Sequence, residues 1–169
     1  MKKDIIILGS TGSIGSSTIA SISKSNKFKI KLLTTNKNAK KILKQAILFK
    51  VKNIIIEDKE IFHKYYHIFK KNKINAHLGI KNIDKIINKK VSYCVNSISG
   101  IEGLGPTLKT IPITKNILIA NKESIICAWD LIKKKLDKYK TQFIPIDSEH
   151  FSIWKLIRNE QKKNISKII

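Results

Sequence analysis

Three short runs hold residues whose types and spacing could do chemistry. The first is "GSTGSIG", residues 9–15, which places three glycines at positions 9, 12 and 15 in a chain with only 7 among 169 residues. It follows an apolar run and opens a helix-like segment. Glycine lets backbone amides come close to a ligand, and a helix start offers unpaired N–H donors with the positive end of a dipole, so this turn suits a diphosphate. The other two are "IANKES", residues 119–124, and "PIDSEH", residues 145–150, each between a strand-like run and a helical segment. In the last, Asp147 and Glu149 stand two apart. On an extended chain both carboxylates would point to one side, and two hard oxygen donors suit Mg2+ or Mn2+. The same residues read equally well as a helix start, with Asp147 or Ser148 as the cap and Glu149 as first-turn charge.

Behind the glycine turn, the segment where a dinucleotide fold often keeps an acidic residue for the ribose diol reads "TTNKN", residues 34–38. It has no carboxylate. Asn36, Lys37 and Asn38 offer donors and a positive charge, which favours a 2′-phosphate and therefore NADPH over NADH.

Positioning these motifs needs strands that end at them and helices that start from them. Apolar runs of strand length are expected at 5–8, 29–33, 53–57, 76–78, 91–95, 117–120 and 143–146, and helical periodicity at 14–23, 39–49, 58–71, 80–88, 104–111 and 122–136, with another helix after 146. Their expected buried stripes include Ile42, Ala46 and Phe49; Ile61, Tyr65 and Ile68; Ile125, Trp129, Ile132 and Leu136; and Ile153, Trp154 and Ile157. Repeated alternation of strand and helix predicts an α/β, Rossmann-like, doubly wound, mainly parallel sheet. The run "NISKII" at 164–169 is apolar and strand-like, with no capping or solvating tail, so more chain is expected beyond it.

Composition narrows the function classes. The net charge is +22, yet 33 of the 34 basic residues are lysines spread over every segment, and Arg158 is the single arginine. With 35 isoleucines against 3 valines, the bias is that of A/T-rich codons, and no nucleic-acid partner is expected. No apolar stretch reaches the ~18 residues that would cross a bilayer, so no membrane partner is expected. Cys94 and Cys127 form no C-x-x-C pair and sit in apolar company, which predicts two reduced, buried thiols and a cytoplasmic location. His63 and His67 share a helical spacing without a third ligand and read as a surface feature, and Tyr66 with Lys70 falls too early for a dehydrogenase pair, so that spacing reads as chance.

Taken together and in order, "ILGSTGSIGSST", "ILIANKES" and "PIDSEH" resemble 1-deoxy-D-xylulose 5-phosphate reductoisomerase, an NADPH- and metal-dependent family of non-mevalonate isoprenoid biosynthesis. The resemblance covers this whole chain but well under half of such an enzyme. It implies that Thr11, Gly12, Ser13 and Ile14 line the cofactor phosphates, that Asn36, Lys37 and Asn38 lie near the 2′-phosphate, and that Asn121 and Glu123 meet the cofactor from the other side. Lys122 would hold the sugar-phosphate substrate and act in catalysis with Glu149, Ser148 and Glu149 would contact the substrate, and Asp147 and Glu149 would be two of three protein ligands to Mg2+ or Mn2+, with Co2+ a further candidate. Residues 1–143 would form the cofactor domain and 144–169 the start of an α+β catalytic domain, in a full-length form that is a homodimer. Asn36 replaces a usual glycine, Phe151 and Ser152 depart from the smaller residues usual there, and the remaining substrate and metal groups lie in parts not present here. The chain alone is therefore expected to be inactive; the alternative is an eroded, non-catalytic dinucleotide-binding fragment.

Overall fold

A computed structural model describes residues 1–160, 164, 165 and 167, so the strand-like run expected at 164–169 lies largely outside the described residues. Seven strands form one parallel sheet: β1 (Lys3–Leu8), β2 (Phe28–Thr35), β3 (Asn53–Ile56), β4 (Asn75–Leu78), β5 (Val91–Asn96), β6 (Thr114–Ile119) and β7 (Gln142–Pro145). Helices alternate with them: α1 (Ser13–Ser23), α2 (Ala39–Leu48), α3 (Lys59–Lys71), α4 (Ile83–Ile86), α5 (Leu104–Thr110), α6 (Lys122–Tyr139) and α7 (Ser148–Ile157).

The strand order is β4-β3-β2-β1-β5-β6-β7. The chain winds outward from β1 to β4, then crosses back to pair β5 with the other side of β1. Successive residues of a strand face opposite sides, and β1 feeds two cores in this way. Ile5 and Ile7 pack with Ile19, Ile22, Ile42, Ala46 and Phe69 from α1, α2 and α3, while Ile6 and Leu8 pack with Ile83, Ile111, Ile132 and Leu136 on the opposite face. Strands covered on both faces need unbroken apolar runs, which is what the isoleucine-rich segments supply. On the α1 face the cover stops beside β5, leaving an apolar hollow of about 550 Å3 lined by Ile5, Thr18, Tyr93, Val95, Leu118 and Ile146. Among the described residues, no helix is long and apolar enough to cross a membrane.

Several local expectations are corrected. Phe69 is the fully buried residue of α3, while the expected Ile61 and Tyr65 pack half-buried against the core and Ile68 is half-buried beside them. The helix expected at 122–136 runs to Tyr139 and kinks at Ala128 (φ −144°, ψ 32°), which breaks the even stripe. Trp129 is consequently 39% exposed, with its ring edge-on to Phe143 at 5.6 Å. Cys127 is exposed, whereas Cys94 is buried. No residue of α7 is fully buried, because among the described residues it packs chiefly along β7 at the sheet edge; Ile153 is exposed, and Trp154 stacks with Phe151 and lies under the Arg158 guanidinium at 4.9 Å. The β7 ladder to β6 runs from Gln142 to Pro145, across the 143/144 junction.

Candidate functional site

The crossover beside β1 creates a point where strands on either side lead their helices to opposite faces, and ligands of such sheets lie beyond the strand ends there. The glycine turn sits at this point. Gly9 has φ +69°, and a Cβ on it would stand 3.1 Å from the Ser97 carbonyl at the end of β5. Gly15 is a packing position: a Cβ would strike the Gly9 carbonyl and come within 2.7 Å of the Ser10 backbone. Gly12 differs, since a Cβ there would meet only the Gly9 carbonyl at 3.4 Å. One glycine makes the turn, one lets α1 pack on it, and the third leaves the approach to the helix open.

Gly12 is the N-cap of α1, with no side-chain cap and no acidic residue in the first turn. The amides of Ser13 and Ile14, just inside the helix, have no intrahelical carbonyl to bond and are free for an anion. Behind this start the support is dense. Gly9 donates its amide to Thr34 Oγ1 at 2.9 Å, and the hydroxyls of Thr11 and Thr35 share a bond of 2.7 Å. Buried Ser10 and Gln45 exchange two bonds: Ser10 Oγ donates to Gln45 Oε1 at 2.8 Å, and Gln45 Nε2 returns one to the Ser10 carbonyl at 2.9 Å. Gln45 was not singled out by motif, although a polar residue on the apolar face of a helix beside Ile42 and Ala46 is a readable signal.

At the end of β2, Asn36 has no positive φ, so its replacement of a glycine costs no backbone strain. Lys37 lies 3.6 Å from Asp58 and is largely exposed, a pair weak enough in water to exchange for a phosphate. The backbone amide of Ile61 chiefly, together with Lys37, holds the Asp58 carboxyl below its ordinary range. Asn38 uses its side-chain oxygen to cap α2 through the Lys41 amide at 3.1 Å.

Across the switch point, Ile14, Ser97, Gly100, Asn121 and Glu123 line a cleft of about 140 Å3. The fold thus brings Asn121 and Glu123 to the open start of α1 from strands on its other side. Asn121 is buried, and its Nδ2 donates to the Gly100 carbonyl at 2.9 Å and to Ser124 Oγ at 2.8 Å, while its Oδ1 has no protein partner. A buried acceptor without a donor is costly, which fits a polar ligand group at this atom. Gly103 makes room for the side chain, since a Cβ there would overlap the Asn121 amide. Lys122 and Glu123 are exposed in the first turn of α6.

Asp147 and Glu149 do not lie on one extended strand. Asp147 is the N-cap of α7, accepting at Oδ1 from the His150 amide at 3.0 Å and pairing with His150 Nδ1 at 2.6 Å, and Glu149 sits in the first turn. Partial burial works to raise the Asp147 carboxyl, but the His150 amide and ring outweigh it and hold the group below the usual aspartate range. Its Oδ2 is buried without a partner, and the exposed Glu149 has only a 3.4 Å contact from Ser148 Oγ. An ionised carboxylate with a spare buried oxygen beside a second acid fits a hard divalent ion, although among the described residues no three such ligands cluster. His63 and His67 lie on the exposed side of α3.

Comparisons with known proteins converge on this arrangement. A family model described as 1-deoxy-D-xylulose 5-phosphate reductoisomerase matches residues 5–129. The proteins of that name from Pelagibacter ubique (strain HTCC1062) and Bacillus subtilis (strain 168) are 53% and 32% identical over 169 residues, which is 98% and 99% of this chain but 44% of each relative. The chain therefore spans less than half the length of the relatives it matches. Among solved structures, the Zymomonas mobilis reductoisomerase in complex with NADPH has a TM-score of 0.81 at 28% identity, over 88% of this chain and 40% of that one. A reductoisomerase in complex with NADPH, fosmidomycin and magnesium has a TM-score of 0.83 at 32% identity, over 90% of this chain and 38% of the other.

Proposed function

Because the chain belongs to the 1-deoxy-D-xylulose 5-phosphate reductoisomerase family, we propose that it is the NADPH-binding portion, with the beginning of the metal- and substrate-binding portion, of an enzyme that isomerises and reduces 1-deoxy-D-xylulose 5-phosphate to 2-C-methyl-D-erythritol 4-phosphate. The observation that carries this reading is the uncapped start of α1 at the switch point, sharing a cleft with Asn121, whose Oδ1 has no partner among the described residues. The amides of Ser13 and Ile14 bind the diphosphate, with Thr11 and Gly12 shaping the approach. Lys37 leaves Asp58 for the 2′-phosphate, and Asn36 and Asn38 flank it. Asn121 and Glu123 orient the reactive end of the cofactor from the β6 side.

Asp147 and Glu149 would hold the divalent ion, Lys122 and Ser148 would place the substrate, and Glu149 would touch both. When bound, NADPH supplies the hydride and the metal polarises the substrate oxygens for the carbon-skeleton rearrangement. The ionised state of Asp147 suits this task, since a protonated carboxyl would hold a cation poorly.

Two measurements test the proposal. Calorimetry with this chain should detect NADPH binding, with NADH weaker; no heat with either removes the cofactor assignment. In the full-length gene product, NADPH oxidation should require both the substrate and Mg2+ or Mn2+, and turnover that survives a chelator rejects the metal assignment.

A further inference from the structure

Lys41, on α2, belongs to none of the motifs, yet its side chain runs to the glycine turn. Its Nζ donates to the Thr11 carbonyl at 2.8 Å and to Ser16 Oγ at 2.7 Å. The Ser16 hydroxyl in turn donates to the Gly12 carbonyl, which also accepts the Ser16 amide at 2.9 Å. No carboxylate among the described residues pairs with the Lys41 ammonium.

The consequence follows from peptide geometry. In a planar trans peptide the carbonyl and the amide hydrogen point in opposite directions, so holding one aims the other. The Thr11–Gly12 peptide is held at both ends, by Lys41 on its carbonyl and by the Gly9 carbonyl on the Gly12 amide at 3.1 Å. The Gly12–Ser13 peptide has its carbonyl drawn back along α1 through Ser16, which turns the Ser13 amide outward. The ammonium also places a full positive charge behind the positive end of the helix, where no acid offsets it.

Resting on the NADPH reading above, we infer that Lys41 is a positioning residue of the cofactor turn: by gripping the Thr11 carbonyl and the Ser16 hydroxyl from behind, it helps aim the Ser13 amide at the diphosphate. Replacing it leaves the turn glycines and Lys37 in place but removes the grip on the Thr11 carbonyl and on the Ser16 hydroxyl.

The test is titration of NADPH and of adenosine 2′-phosphate, which lacks the diphosphate, into the wild type and into Lys41→Met and Lys41→Arg. Lys41→Met should weaken NADPH about tenfold, as expected for losing charge-assisted hydrogen bonds, with little change for adenosine 2′-phosphate, and Lys41→Arg should restore most of the loss. If Lys41→Met does not fold, Ser16→Ala, which cuts one arm of the grip, should weaken NADPH about threefold with the same indifference to adenosine 2′-phosphate. Unchanged NADPH affinity in Lys41→Met, or in Ser16→Ala where that variant carries the test, overturns the inference alone, as does equal loss of both ligands. A wild type that takes up no dinucleotide overturns the cofactor reading, and this inference falls with it.

Discussion

The two strand-to-helix junctions at β1–α1 and β7–α7 lie at the same end of the sheet and begin with similar small and polar residues, but they treat their helix starts in opposite ways. At the first, Gly12 leaves the helix uncapped while Ser10, Gln45, Thr34 and Lys41 brace the turn from behind. At the second, Asp147 closes the helix with its own Oδ1 and keeps only Oδ2 spare, and the helix it starts buries no residue fully. The difference teaches that the donors of the proposed anion site can all come from backbone amides within one Rossmann-like unit. For the proposed cation, Asp147 and Glu149 supply carboxylates from side chains, and the other oxygens of its octahedron must come from further groups, water or substrate.

The comparison can be broken most sharply at Gly15. Gly15→Ala drives a methyl into the Gly9 and Ser10 backbone, so the β1–α1 junction should lose about 3 kcal/mol or more in denaturant unfolding, with dinucleotide binding lost as well. Gln45→Leu removes both bonds that Gln45 makes with buried Ser10, leaving its hydroxyl only the Thr34 carbonyl at 3.3 Å, and should cost about 1–3 kcal/mol by the same measurement. At the other junction the effect should be local. Asp147→Ala removes the α7 cap, worth about 1 kcal/mol, and should speed amide exchange within α7 while the midpoint of global unfolding stays put.

The titration of Asp147 sharpens the contrast by its sign. Its folded carboxyl lies below the unfolded value, so the cap contributes stability above the ordinary aspartate range and loses it as the pH falls through the depressed folded value. The His150 amide shift, followed against pH, should therefore move below the usual aspartate range; a midpoint above that range would contradict the cap. The smallest effect concerns thiols. Burial pushes Cys94 up to about 12, opposed only by a bond with Thr110, so iodoacetamide at mildly alkaline pH should label the exposed Cys127 and spare Cys94 until the protein unfolds.

Much of this was legible in the sequence where the signal is local. Strand and helix periods located all seven strands, because a short apolar run bounded by turn residues needs no distant partner to declare itself. The glycine spacing marked the turn, and its division of labour among Gly9, Gly12 and Gly15 became visible only once Ser97 and Ser10 stood beside it. Lys41 was illegible as a site residue, since its role depends on reaching back about thirty residues to the turn and a lysine is unremarkable in a chain this basic, whereas Gln45 declares itself as a polar residue on an apolar helix face but not its partner Ser10. Trp129 misled because a period computed along a straight helix does not foresee the kink at Ala128. For Asp147, both readings of the spacing met in one residue, with one oxygen serving the helix and the other left over.

The place of β1 has a consequence for how the molecule is made. This strand leaves the ribosome before the other six described here, but its central position requires β5 as a neighbour, which emerges almost ninety residues later. During synthesis the Ile5–Ile7 segment therefore waits with one edge unsatisfied, and β-branched apolar segments in that condition associate with each other. Production of this chain should accordingly depend on holdase chaperones and on temperature during translation far more than the finished sheet's burial would suggest.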